Sequence, residues 1–282
     1  MTAERPKFSG ASRYVLDEEL ASIVNISMAL EMPLLLKGEP GTGKTMLAHA
    51  IAENLRMPLI VLNVKSSMKL VEALYQYDTL TRLNDSRFGD SRRDVSDIAA
   101  YIKMGKIGQA FSAAERTVLL IDEIDKADTD FQDDMLDVLD QMTFDIIEID
   151  KTITARHRPV IIITSNAKKD LSDPFLGRCN FHHIAFPEPK VMRQIIRVHF
   201  PDIDGDLLTG AVSAFYKLRE LDSVEKKPAT RELLNWVRAL KADPEFHPRE
   251  LERGAIPYLG VLFKKSQDFA RALTATGRRG LR

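Results

Sequence analysis

Hydrophobic positions change their period several times along this chain, and the changes divide it. Behind Asp17, a good N-cap residue type, Leu20, Ile23, Val24 and Met28 recur at helical spacing, which predicts a helix through Leu30. Short apolar runs then alternate with longer amphipathic stretches. The runs Leu34–Lys37, Leu59–Val64, Val118–Ile121, Val160–Thr164 and His183–Phe186 read as strands, and helices such as Met46–Leu55 and Thr129–Met142 fit between them. Buried parallel strands read as continuous apolar runs because both faces are covered, and parallel neighbours need crossover connections. The alternation therefore predicts an α/β fold with a doubly wound, parallel five-stranded sheet.

Two stretches interrupt this rhythm. Around Phe144–Ile149 and Lys151–Thr154, β-branched and aromatic residues flank a charged turn, which predicts a β-hairpin at about 144–154. The segment from Lys65 to Ala113 is longer than one crossover requires and carries charge, Tyr75, Tyr77 and Phe88, so it reads as an inserted element. Past Pro187-Glu-Pro189 only amphipathic helices remain: Lys190–Phe200, Asp206–Glu220, Thr230–Leu240 and Glu250–Leu273. The chain is thus expected to hold an α/β domain over 1–188 and an all-helical one over 189–282, with the last residues, ATGRRGLR, fraying.

Composition narrows the class. A chain of 282 residues that is 44% hydrophobic can bury a real core. A net charge of −1 offers no global electrostatic reason for binding nucleic acid or an anionic membrane. One cysteine, Cys179, rules out an intramolecular disulfide and any cysteine-based zinc cluster. The polar start MTAERPKFSG and the absence of a membrane-length apolar run make a cytoplasmic protein the expectation.

The chemistry begins at Gly38–Thr45, GEPGTGKT, between a strand-like run and a helix-like run. A backbone wrapped round phosphate needs φ > 0 and no Cβ, which Gly38, Gly41 and Gly43 can supply, with Glu39, Pro40 and Thr42 completing the loop. Lys44 brings charge to the β/γ-phosphates, the Thr45 hydroxyl can ligate Mg²⁺, and the helix entered at Met46 adds its positive N-terminal end. The apolar strand Thr117–Ile121 ends in two carboxylates where such sheets bind ligands. There Asp122 suits Mg²⁺ or its water, and Glu123 suits polarising the water that attacks the γ-phosphate. Val160–Ser165 ends in Asn166, whose amide either senses the γ-phosphate and orients that water or closes an Asx-turn.

Taken together these motifs resemble the AAA+ ATPases, and within them the MoxR family of the helix-2-insert branch. The resemblance runs through GEPGTGKT, LLIDEIDKAD, IIITSNAKKDL, DPFLGRC and KKPATRELLNWVRAL and so covers nearly the whole chain. It implies a P-loop NTPase αβα wedge followed by a helical lid, with the 65–113 segment as the helix-2 insert and the 144–154 hairpin as the presensor-1 hairpin. It also implies ATP and Mg²⁺ as ligand and cofactor, and a homo-oligomer, usually a hexameric ring, with ATP between neighbours. Arg178 falls at the arginine-finger position, with Arg156 and Arg158 as competitors, and Arg231 at the sensor 2 position, in cis or in trans. Relatives of this kind typically remodel or mature a partner bearing a von Willebrand factor A domain. No D-x-S-x-S signature of that domain occurs here, so that partner would be another chain.

A nucleic-acid-associated NTPase motor is the alternative, weakened by the near-neutral charge and by the missing GAFTGA loop. A small-molecule kinase is opposed by Glu123 and by the finger and sensor motifs. Asp130, Asp133, Asp134, Asp137 and Asp140 read as a solvated acidic helix face, or one turned to a basic neighbour, rather than as a metal site. Asp202–Asp206 lacks the spacing of a calcium loop and reads as a turn and helix cap. Lys65–Lys69 and Phe88-Gly89 are weak candidates for substrate-facing loops.

Overall fold

A computed structural model describes residues 7–88, 94–166, 169 and 171–276. Gly89, the end from Gly277 onward that is expected to fray, and Ala167, Lys168 and Asp170 of the IIITSNAKKDL motif lie outside the described residues. The chain divides into two compact units: residues 1–11, 16–38 and 44–184 form one, and 12–15, 39–43 and 185–282 the other. Among the described residues no helix is long and apolar enough to cross a membrane.

In the first unit, α1 (Glu18–Leu30) is capped by the Asp17 carboxylate, which accepts from the Leu20 N–H. β1 (Leu34–Lys37), α2 (Lys44–Leu55) and β2 (Leu59–Asn63) follow. The 65–113 segment folds as α3 (Leu70–Leu74), β3 (Tyr75–Tyr77), α4 (Thr79–Phe88), β4 (Ile102–Met104) and α5 (Lys106–Ser112), with β3 and β4 antiparallel. Then come β5 (Val118–Asp122), α6 (Thr129–Gln141), β6 (Thr143–Ile146) and β7 (Lys151–Thr154). β8 (Val160–Ser165), α7 (Asp173–Gly177) and β9 (Asn180–His183) close the unit. The main sheet is parallel and five-stranded, in the order β2-β5-β8-β1-β9. β6 and β7 form a separate hairpin in which Phe144 pairs with Ile153.

The centre of that sheet is dry. Leu34–Leu36, Val118–Ile121 and Val160–Ile163 are all buried, as expected of strands covered on both faces. Lys37 is in register with Ser165 and Ile121 with Ile163, so the C-terminal ends of β1, β5 and β8 finish side by side. The last strand differs from expectation. It covers Asn180–His183 instead of His183–Phe186, because β9 is an edge strand with alternating exposure, and the apolar run that follows it lies beyond the pairing with β1. The Asn180 N–H donates to Pro33 and the Ile184 N–H to Lys37, bracketing the register.

The second unit is helical: α8 (Pro189–His199), α9 (Gly205–Arg219), α10 (Thr230–Ala242), α11 (Arg249–Glu252), α12 (Leu259–Leu262) and α13 (Ser266–Ala275). Its core gathers Met192, Ile196, Phe215, Leu233, Trp236 and Val237, each with less than 2% exposed area. The predicted helix Glu250–Leu273 is in fact three short helices. Gly254 at φ 80° and Tyr258 at φ 57° break the ladder on either side of Pro257, which has no N–H to contribute. Trp236 Nε1 donates to the Pro257 carbonyl at 2.6 Å and holds that break in place. Asp204 caps α9, so the Asp202–Asp206 segment is a turn and cap.

Candidate functional site

Two glycines of the GEPGTGKT loop hold left-handed backbone, Gly41 at φ 83° and Gly43 at φ 94°, where a Cβ would be strained. Gly38 does not share that conformation. It contributes its carbonyl, which accepts from Lys44 Nζ at 2.8 Å, and Lys44 is 6% exposed. Lys44 and Thr45 open α2, while Met46 is largely exposed. Glu39, Pro40, Gly41, Thr42 and Gly43 cluster with the second unit, where Glu39 pairs with Arg219 at 3.0 Å. Arg219 also donates to the Pro228 carbonyl at 2.6 Å and lies 3.4 Å over the Phe186 ring. This buried arginine was not legible in advance, since the end of an amphipathic helix ordinarily carries solvated basic residues.

Within the first unit the ends of β5 and β8 and the start of α2 converge on Asp122. Its Oδ1 accepts from Thr45 Oγ1 at 3.0 Å and from Thr164 Oγ1 at 2.6 Å. Thr164, 1% exposed, in turn accepts from the Glu123 N–H at 2.9 Å. Thr164 ends the predicted strand Val160–Thr164, and nothing in its local sequence marks it as a site residue. The register of β5 against β8 brings it level with the two carboxylates.

Glu123 leaves the strand with φ 60° and ψ 51°, a left-handed conformation that costs a side-chain-bearing residue about 1–2 kcal/mol. Such outliers persist where the surroundings over-determine them. Here the Thr164 hydroxyl fixes the Glu123 amide, and a short 3-10 turn, Ile124–Lys126, follows at once. The Glu123 carboxylate is engaged on both oxygens: Asn166 Nδ2 donates to Oε1 at 2.9 Å, and Lys126 Nζ is ion-paired to Oε2. That pair raises the Lys126 ammonium above its usual pKa. Buried Asp125 accepts from the Asn166 N–H at 3.2 Å, which sets the turn where Asn166 leaves β8.

Thr45, Asp122, Glu123, Thr164 and Asn166 therefore form one hydrogen-bonded chain at the carboxyl ends of adjacent parallel strands, the place where open α/β sheets bind ligands. The hydroxyl of Thr45 and the carboxylate of Asp122 are both hard oxygen donors, and their 3.0 Å separation allows both to face one octahedral Mg²⁺.

Arg178 lies apart from this cluster, at the C-cap of α7, and is 42% exposed. Its Nε pairs with Asp140 at 2.9 Å and its Nη2 approaches Asp137 at 3.7 Å, so part of the acidic face of α6 meets a basic residue of the same chain. Asp133 of that face accepts from Ser172 Oγ at 2.7 Å. Arg231 is an exposed residue in the first turn of α10. Thr230 is inside the helix and buried, the N-cap is Ala229, and the Glu232 carboxylate accepts from the Ala229 N–H at 3.1 Å. Among the described residues no group of three His, Cys, Asp or Glu residues fit to hold a metal occurs.

Comparison with known proteins bears on the family and the fold. The chain is 28% identical over 233 residues to the ATP-dependent zinc metalloprotease FtsH 3 of Sphaerobacter thermophilus, covering 73% of this chain and 42% of that protein. It is 28% identical over 191 residues to 26S proteasome regulatory subunit 10B of Dictyostelium discoideum, covering 57% and 42%. The chain thus spans less than half the length of these curated relatives. Among solved structures it is similar to NtrX from Brucella abortus in complex with ADP, with a TM-score of 0.52 at 15% identity, over 83% of this chain and 52% of that one. That likeness shows the fold. The model of the ATPase family associated with various cellular activities (AAA) matches residues 34–187, more than half of the chain and all five strands of the parallel sheet, and the chain belongs to that family.

Proposed function

We propose that this chain is a Mg²⁺-dependent ATPase of the MoxR type that couples ATP hydrolysis to the remodelling, maturation or assembly of a partner protein. The observation that carries the reading is the hydrogen-bonded chain from Thr45 through Asp122 and Thr164 to Glu123 and Asn166. In the hydrolytic step a water oxygen bonds to the γ-phosphorus as the bond from that phosphorus to the β,γ-bridging oxygen breaks. Glu123 takes the water's proton, ADP leaves with the bridging oxygen, and inorganic phosphate is the other product. Thr45 and Asp122 would hold Mg²⁺, which when bound neutralises phosphate charge. Lys44 and the backbone of Gly38–Thr45 cradle the phosphates, and Asn166 orients Glu123 and the water beside it.

In this reading the protein works as a homo-oligomer, a hexameric ring, with Arg178 reaching the γ-phosphate of a neighbour and Arg231 linking nucleotide state to the helical unit. The partner is a separate protein with a von Willebrand factor A domain. Support for a remodelling role comes from the MoxR-like motif set and from relatives named as an ATP-dependent zinc metalloprotease and a 26S proteasome regulatory subunit.

The test is Glu123→Gln. This variant should bind ATP as the parent does while phosphate release falls by about a hundredfold or more, the usual contribution of a general base. Undiminished turnover would remove Glu123 from the chemistry. ATPase stimulation by DNA, with none by a von Willebrand factor A domain protein, would replace the remodelling reading with a nucleic-acid motor.

A further inference from the structure

The lysine that follows Glu123 by three residues has no part in the mechanism above, yet it is bonded to the residue at its centre. Glu123 caps the 3-10 turn Ile124–Lys126 from its left-handed conformation, and Lys126, three residues on, is the last residue of that turn. The turn is closed by the Lys126 N–H donating to the Glu123 carbonyl at 3.0 Å and the Ala127 N–H to Ile124 at 3.1 Å. The backbone beneath Glu123 is pinned by the Thr164 hydroxyl. Both side chains thus start from fixed bases, and the ion pair joins Lys126 Nζ to Glu123 Oε2.

The pair occupies the oxygen that Asn166 leaves free. With Asn166 on Oε1 and Lys126 on Oε2, the carboxylate is held between β8 and the 3-10 turn, and each oxygen accepts a donor from the protein. Lys126 is 44% exposed on its side chain and contributes nothing to the buried core, so packing does not explain its contact. We propose that Lys126 is a positioning residue that restrains Glu123, and that water activation by Glu123 requires this ion pair to open. The proposal rests on the reading of Glu123 as the base.

Lys126→Met removes the charge and the donor while keeping a long, flexible chain at a half-exposed site, and a melting curve checks that the variant folds. Steady-state hydrolysis should show kcat raised about threefold to fivefold with KM for ATP unchanged, the size an exposed ion pair can supply. Lys126→Arg, which restores a donor and charge, should return kcat toward the parent value. In the Glu123→Gln background, Lys126→Met should give no gain, because its effect passes through the carboxylate. An unchanged or lowered kcat for Lys126→Met, beside an inactive Glu123→Gln, overturns the restraint and leaves the base assignment standing. A Glu123→Gln variant that hydrolyses ATP normally overturns both.

Discussion

The hydroxyl of Thr164 donates to Asp122 Oδ1 at 2.6 Å and accepts the N–H of Glu123 at 2.9 Å, so one buried oxygen on β8 ties together the two carboxylate residues at the end of β5. Thr164→Val keeps the shape and removes both bonds. It leaves the Glu123 amide without its acceptor, at a cost of about 1–3 kcal/mol for a buried polar group, and frees the left-handed turn that amide anchors. The variant should melt several degrees below the parent in a thermal scan and show kcat for ATP lowered at least tenfold. A variant with lowered stability and parental kcat would make Thr164 a structural residue only.

Arg178 presents the opposite case, an exposed charge whose partners are also exposed. Its pairs with Asp140 and Asp137 lie at the surface, where such pairs are worth about 0–1 kcal/mol, so Arg178→Ala should leave the melting temperature nearly unchanged. If Arg178 serves a neighbouring subunit, turnover should still fall by about a thousandfold, the contribution of an arginine finger. Mixing Arg178→Ala with Glu123→Gln protein should then recover activity, because one subunit supplies the arginine and the other the base. Two inactive variants that stay inactive when mixed would assign Arg178 a role within its own subunit or none in the chemistry.

The parts of this molecule that could be read in advance share one property, that a single physical constraint dominates them. Val118–Ile121 and Val160–Ile163 are covered on both faces, so only apolar residues survive there and the strands stand out. Gly41 and Gly43 need positive φ, which marks the phosphate loop. Asp122 and Glu123 stand where the apolar run stops. Prediction failed where two constraints compete. β9 is half exposed, so its residues alternate and the apolar run just after it drew the assignment three residues too far. The C-terminal helix looked continuous because its apolar spacing survives Gly254 and Pro257, although the backbone does not. The Thr164 hydroxyl, the Lys126 ion pair and the burial of Arg219 depend on which strands and helices become neighbours, information that no local window holds.

Cys179 follows Arg178, and its chemistry should be quiet. Burial is the main cause that pushes its thiol pKa up to about 12, with the nearby Asp140 carboxylate adding to it. The thiolate is the reacting species, so the folded protein should alkylate far more slowly than the denatured chain at pH 8, with the rate rising steadily toward pH 11. The sign for stability follows from the same shift. Because the folded state holds this proton more tightly than the unfolded chain, the contribution of Cys179 is complete below pH 9 and is lost as pH climbs from 9.0 toward 12. Cys179→Ser should therefore narrow the alkaline fall in stability measured by denaturant titration at pH 8 and pH 10.5. Rapid labelling of the native protein at pH 8 would show instead that the thiol is open to solvent and ionises as an ordinary cysteine.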